Sequence, residues 1–146
     1  MAPSNMLSRQ SHRLLLFLFT SFEGFAVPYF AVPNLGRSVH TLSAFSGVLL
    51  LALGLLWPKL ILGAAAAQIA FWFLIYSDLA IVASFLMAGV WGAGNSIIPL
   101  AAGAARGSSF QETAIAIVAY SAAPTGIASF ALILWGLRIP PPQAAE

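Results

Sequence analysis

The chain has 146 residues, of which 60% are hydrophobic and 7% are charged, and its mean hydropathy of +0.93 indicates a polytopic membrane protein. Six Lys and Arg against four Asp and Glu give a net charge of +2, which is too small and too scattered for a nucleic-acid surface. Cysteine is absent from the sequence, which excludes disulfides, thiolate metal sites and thiol nucleophiles.

Four apolar stretches predict four membrane-spanning helices. They lie at about residues 13–33, 41–57, 62–90 and 113–137. Each is near the roughly 20 residues that a helix needs to cross about 30 Å of hydrocarbon. The alternating pattern of a β-barrel is absent, so we predict one all-α domain, a four-transmembrane-helix bundle. Pro33 is expected to end the first span and Pro58 the second.

The basic residues predict the orientation of the bundle. With the N-terminus inside, four of them lie on the cytoplasmic side and two lie outside. The four are Arg9, Arg13, Lys59 and Arg138, and the two are Arg37 and Arg106. Basic residues accumulate on the cytoplasmic side of membrane proteins. We therefore expect a multi-pass protein of a bacterial inner membrane with both termini in the cytoplasm.

The segment between the third and fourth spans, residues 89–112, is long and unusual in composition. It is rich in Gly, Ala and Ser but remains apolar, whereas a solvated loop would be more polar. Small residues permit close approach of the backbone. We expect a re-entrant or capping segment that covers something at the membrane edge.

Two acidic residues, Glu23 and Asp78, lie within predicted spans. An intramembrane carboxylate is costly, so it is either a protonated group bonded to a neighbouring helix or part of a pocket or proton path. Helical spacing gives Asp78 an apolar and aromatic face. The members of that face are Phe71, Ile75, Val82 and Phe85. Such a surround suits a mostly hydrophobic ligand with one polar atom.

His40 is followed at helical spacing by the small residues Ser43 and Gly47. Two interpretations stay open from this pattern. The imidazole reaches water from the end of a helix, or it is the axial ligand of a haem beside the helix. His12 lies at the start of the first span, about 30 Å from the start of the second. A bis-histidine haem within one chain is therefore excluded, and a haem on His40 would keep an open sixth position.

Several of these stretches resemble the styrene oxide isomerase family of small four-helix membrane enzymes with haem b. "SHRLLLFLFTSFEG", residues 11–24, resembles the first span, with a histidine and a glycine twelve residues later. "RSVHTLSAFSG" resembles the haem-ligand stretch, in which glycine follows the histidine, here His40, by seven residues. Pro58 falls where the family ends its second helix, and Asp78 falls close to the family's aspartate. The resemblance covers roughly residues 11 to 100.

The resemblance implies a haem-dependent epoxide isomerase. Ferric haem b held by His40 would act as a Lewis acid, open a small hydrophobic epoxide and give a carbonyl compound after a 1,2-hydride shift, the Meinwald rearrangement. It also implies a homotrimer in the bilayer, with haem between subunits. Asp78 and Glu23 are the candidate catalytic residues, and Ser43 and Gly47 are the expected cofactor contacts. The substrate pocket is expected to include Val82, Phe85, Leu86 and Asn95.

The sequence also departs from the family pattern. Ser46 stands where the family has asparagine, and Val82 and Leu86 replace an asparagine and a tyrosine. Glu23 has no counterpart in that pattern. We therefore expect the haem site to be retained while the substrate differs. Two other classes stay open, namely a non-catalytic haem-binding sensor or electron carrier, and a haem-free membrane assembly or transport factor that uses Glu23 and Asp78.

Overall fold

The structure is a computed structural model that describes Phe22 and residues 24–138. This part of the chain is helical and contains no strand. Its helices are α1 (Pro33–Leu56), α2 (Ala64–Trp91), the short α3 (Pro99–Ala102) and α4 (Ser109–Gly136), with 3-10 turns at Val27–Tyr29 and Trp57–Lys59.

The three long helices are suited to crossing a membrane. They contain 24, 28 and 28 residues, which at 1.5 Å per residue gives about 36 to 42 Å. All three are apolar enough to span the hydrocarbon. The protein is thus a helical membrane protein. The first of the four predicted spans, at about residues 13–33, lies largely outside the described residues.

The start of α1 differs from the prediction. Pro33 was expected to end a span, but it is the first residue of α1, and the predicted connection up to His40 is helical. Proline is well tolerated in a first helical turn, where its missing N–H would have no partner. The residue before it, Val32, is extended, with φ −125° and ψ 98°, as proline requires. His40 therefore lies two turns inside a helix.

An antiparallel hairpin of α1 and α2 forms one half of the bundle. The ring of Phe30, just before α1, fills a notch between Gly36 at the start of α1 and Gly89 at the end of α2. A Cβ added at Gly36 would lie 3.0 Å from this ring, and one at Gly89 would lie 2.6 Å from it. Two missing side chains thus allow one aromatic ring to join the two helices.

The contact between α2 and α4 is the most extensive in the described structure. Ser129 Oγ donates a hydrogen bond of 2.7 Å to the carbonyl oxygen of Ala70, and both residues are buried. The hydroxyls of Tyr76 and Ser121 lie 2.8 Å apart across the same pair. Small residues and interhelical hydroxyl bonds stabilise helix association in lipid, where the hydrophobic effect gives little.

The long segment after α2 folds back over one end of the bundle. Gly92 ends α2 in the left-handed conformation, with φ 62°, which glycine adopts without strain. Ala93 and Ala102 of this segment are buried against the ends of the three long helices. The residues contacted there are Leu35 of α1, Ala88 of α2 and Ile115 of α4. Residues 92–108 thus form a cap within residues 89–112, where the composition predicted a re-entrant or capping segment.

Candidate functional site

A cleft of about 280 Å³ lies between α1, α2 and α4, and Asp78 is its one charged lining residue. Asp78 is near the middle of α2 and is 8% exposed. The rest of the lining is apolar except for Ser77. The apolar members are Leu49, Leu74, Ile81, Ala119, Ala122, Ala123 and Phe130. A buried carboxyl in such a cleft suits an apolar ligand with one polar group.

One oxygen of the Asp78 carboxyl is available to a ligand. The Ser46 hydroxyl of α1 lies beside this carboxyl. Oδ2 is buried and has no hydrogen-bond partner among the described residues. An unpaired buried acceptor costs about 1–3 kcal/mol of stability. A ligand that donates a hydrogen bond to Oδ2 would remove this cost, and its binding would be favoured by a similar amount.

A larger groove of about 600 Å³ lies at the capped end, but its acid is already fully engaged. Glu112, in the first turn of α4, accepts hydrogen bonds from the backbone N–H groups of Gly94, Ser96 and Gly107 at 2.8, 3.3 and 3.0 Å. It also accepts one from the Ser96 hydroxyl. This carboxylate joins the cap to α4, and each of its two oxygens already accepts two hydrogen bonds. The Asp78 cleft is therefore the better candidate site.

Glu112 was not among the residues selected from the sequence. Sequence reasoning concentrated on acids inside predicted spans, and Glu112 lies just before the fourth one, predicted to begin at about residue 113. A signal was nevertheless present, because Ser108 and Gln111 have the spacing of a capping box. The structure contains that box, in which the Ser108 side chain accepts from Gln111 N. Its recognition would have placed Glu112 in a first turn, where a carboxylate is favoured.

His40 is exposed on α1 and packs beside Gly24. A Cβ added at Gly24 would lie 3.0 Å from Cε1 and 3.1 Å from Nδ1 of the imidazole. The absence of a side chain at position 24 therefore leaves room for the ring. His40 is not a lining residue of the Asp78 cleft, whereas Leu49 of the same helix is. Nine residues separate the two, about 2.5 turns, so they lie on opposite sides of α1.

Ser43 and Gly47, the two expected cofactor contacts, lie on the buried side of α1, whereas His40 is exposed. Ser43 is fully buried, and its hydroxyl donates to the carbonyl oxygen of Val39 at 2.8 Å. Gly47 is also on the buried side of α1. Their small size is accounted for by packing inside the chain, so the pattern that suggested space for a flat cofactor has a structural cause. Their contact with haem stays a prediction.

The predicted pocket residues do not gather around the Asp78 cleft. Val82 is 6% exposed and Leu86 is half-buried, and neither lines the cleft. Phe85 packs against the core under the cap. Asn95 is in the cap itself, where its side-chain amide donates to the carbonyl oxygen of Gly103, and it lines the larger groove. Helical spacing places Val82 and Phe85 on the Asp78 face of α2, but it could not say which helix covers each part of that face.

Phe71, also predicted on the Asp78 face, lies in an aromatic cluster at the other end of the hairpin, edge-on to Trp57 and Trp72. Glu23, the second candidate acid, lies outside the described residues. Within residues 24–138, no three His, Cys, Asp or Glu side chains come together in a group that would hold a metal ion.

Comparison with known proteins gives one family and two close relatives. The family model described as styrene oxide isomerase matches residues 10–138. Hydroxylaminobenzene mutase HabB of Ectopseudomonas oleovorans is 42% identical over 128 residues, which cover 88% of this chain and 78% of the relative. Hydroxylaminobenzene mutase HabA of the same organism is 35% identical over 124 residues, covering 85% and 92%. No solved structure matches.

Proposed function

Since this chain belongs to the styrene oxide isomerase family and is an isomerase-type membrane enzyme, we propose that it rearranges a small aromatic hydroxylamine inside the bilayer. The observation that carries the proposal is the buried Asp78 carboxyl, with one oxygen unpaired among the described residues, in an otherwise apolar cleft. The names of two relatives support hydroxylaminobenzene as the first substrate to test.

The proposed reaction balances without a co-substrate. The N–O bond of hydroxylaminobenzene breaks, a C–O bond forms on the ring, and a ring proton is transferred to nitrogen, which gives an aminophenol. No oxidant or reductant is consumed. Positive charge develops on nitrogen and the ring as the N–O bond breaks, and a carboxylate beside them stabilises this charge more than the neutral substrate.

In this proposal Asp78 binds and orients the polar end of the substrate. Its Oδ2 accepts the substrate's N–H or O–H, and the Ser46 hydroxyl beside the carboxyl holds its orientation. Leu74, Ile81 and Phe130 hold the ring and exclude water. Exclusion of water strengthens the electrostatic effect of the carboxylate.

A second candidate substrate is a small aryl epoxide, which the family description favours. Opening such an epoxide breaks a C–O bond and also places positive charge beside an aromatic ring, so Asp78 would have the same role. A 1,2-hydride shift then gives a carbonyl compound, again without a reductant. The names of the two relatives support hydroxylaminobenzene as the first of the two substrates to test.

Haem b held by His40 is the cofactor that we propose for this chain. His40 is exposed, its ring packs beside Gly24, and one imidazole suffices as the protein ligand of a haem. When bound, ferric haem supplies a Lewis-acidic iron that polarises the oxygen of the substrate. The cleft residues bind and orient the substrate.

A homotrimer is part of the same proposal, because His40 and the Asp78 cleft lie on opposite sides of α1. One chain does not present both to the same substrate. A ring of identical chains places one side of each protomer against the other side of its neighbour. We propose that His40 of one chain and Asp78 of the next serve one site.

The test uses the full chain purified in detergent and assayed without reductant and without oxygen. Hydroxylaminobenzene and an aryl epoxide are supplied separately, and products are identified by liquid chromatography and mass spectrometry. Asp78→Asn should lower turnover by roughly 10²-fold. Ser84→Ala is the control on the same helix, since that buried hydroxyl donates to its own helix at Ile81 and does not line the cleft.

The absorption spectrum tests the cofactor separately. His40→Ala should lose the Soret band, whereas His12→Ala should retain it. A colourless wild-type protein would contradict the haem proposal and favour a haem-free role. Reversible redox cycling of the haem with no product from either substrate would favour the sensor or electron carrier.

A further inference from the structure

The wall of the cleft that α4 contributes consists largely of alanine. Ala119, Ala122 and Ala123 line it, whereas α1 and α2 contribute larger side chains such as Leu49 and Leu74. Ala122 is buried, with 7% exposure. Phe130 is the one large side chain that α4 adds to the lining, so the alanine part of this wall leaves space open.

The volume of the cleft exceeds the needs of one benzene ring. An apolar protein cavity of about 150 Å³ is enough to bind benzene. The Asp78 cleft measures about 280 Å³, nearly twice that volume. A single-ring substrate would leave part of the cleft unfilled, and unfilled apolar space forfeits dispersion contacts.

Asp78 fixes which end of a ligand occupies which part of the cleft. Asp78 is 8% exposed, and its buried Oδ2 has no hydrogen-bond partner in the described part of the chain. A hydroxylamino group bonded there directs the attached ring away from the carboxyl. In a bicyclic ligand, the second ring then reaches the alanine wall of α4.

We infer that the alanine wall, Ala119, Ala122 and Ala123, determines substrate size, and that the cleft accepts a bicyclic aromatic hydroxylamine as well as a single-ring one. This inference rests on the proposed function and assigns its specificity to α4. Alanine at these positions leaves room for the second ring, and a larger side chain there would remove that room while the first ring still reaches Asp78.

The experiment compares kcat/KM for 1-hydroxylaminonaphthalene and for hydroxylaminobenzene on the same preparation of the full chain. The ratio is kcat/KM for the bicyclic compound divided by kcat/KM for the single-ring compound. It should lie within about tenfold of unity in the wild type, and Ala119→Leu should lower it by at least about tenfold, the discrimination typical of a filled apolar pocket. Ala123→Leu, nearer the rim, is a second variant with the same expectation. Ala131→Leu is the matched control, because this exposed residue of α4 does not line the cleft. Its ratio should stay within about twofold of wild type.

Because each ratio is measured on one preparation, partial loss of folded protein cancels. A wild type that converts hydroxylaminobenzene but not the bicyclic compound would overturn the size inference and leave the proposed function intact. Ratios unchanged in Ala119→Leu and Ala123→Leu, or changed equally in Ala131→Leu, would also overturn it. Conversion of neither compound by the haem-loaded wild type would overturn the proposed function, and the inference with it.

Discussion

Mixed oligomers of two inactive variants, His40→Ala and Asp78→Asn, should recover activity that neither variant has alone. The reason is the placement of His40 and the cleft residue Leu49 on opposite sides of α1. In a closed ring of chains, a site that takes His40 from one protomer and Asp78 from the next is intact when the first is the Asp78→Asn chain and the second is the His40→Ala chain.

The expected recovery follows from random assortment. In a trimer that contains both variants, one of the three boundaries between chains has the required order, so about one third of the sites in the mixed ring are intact. The haem content should be about half of the wild-type value, because only chains with His40 hold it. The two readouts together distinguish intact sites from sites that merely contain haem.

The assay needs the two variants co-expressed with different affinity tags. Purification through both tags in sequence selects oligomers that contain both chains, and turnover of hydroxylaminobenzene is then compared with wild type. Oligomers of two differently tagged Asp78→Asn chains serve as the control and should stay inactive. If doubly purified mixed oligomers have half the haem but no turnover, the two-chain site is wrong, and His40 and Asp78 serve a site within one chain.

Three further predictions concern the packing that supports the site, each read from thermal unfolding in detergent followed by circular dichroism. Gly89→Ala should destabilise the fold by about 1–3 kcal/mol, because its Cβ would lie 2.6 Å from Phe30. Gly63→Ala, with nothing within 4 Å, should change stability by less than about 1 kcal/mol, and equal effects of the two would refute the notch between the helices. Glu112→Ala deprives three backbone N–H groups of their acceptor and should cost about 2–4 kcal/mol, with faster proteolysis within the cap. Ser129→Ala removes an interhelical bond and should cost about 1 kcal/mol, so an unchanged melting temperature would contradict its role.

Composition and periodicity predicted a helical membrane protein and the approximate extent of α2 and α4, whereas α1 begins about two turns before the predicted start of its span. The resemblance at His40 and Asp78 predicted the family, and the match over residues 10–138 confirms it. The error at Pro33 arose because proline can end one helix or begin the next, and hydropathy does not separate the two where both sides are apolar. The extended backbone of Val32 decided the matter.

The site was only partly predictable, since a helical face does not specify which helix will cover it. Asp78 was selected because a lone carboxylate in an apolar span needs an explanation, and the structure places it in a cleft. Phe85 and Asn95 were predicted in the substrate pocket, but neither lines the Asp78 cleft, because Phe85 packs against the core under the cap and Asn95 lines the larger groove. The alanine wall had no signal in the sequence, since alanine is common throughout α4.

The position of Asp78 has a consequence for how the substrate reaches the enzyme. Asp78 is near the middle of α2, a 28-residue helix, which places its cleft about 20 Å from either end of the helix. The surrounding phase at that depth is hydrocarbon, so the bilayer acts as the reservoir from which substrate is drawn. An apparent KM expressed per volume of water will then fall as a substrate becomes more lipophilic, even when its contacts with the protein are unchanged. Rates should follow the mole fraction of substrate in lipid, and adding empty vesicles at constant total substrate should slow turnover by surface dilution.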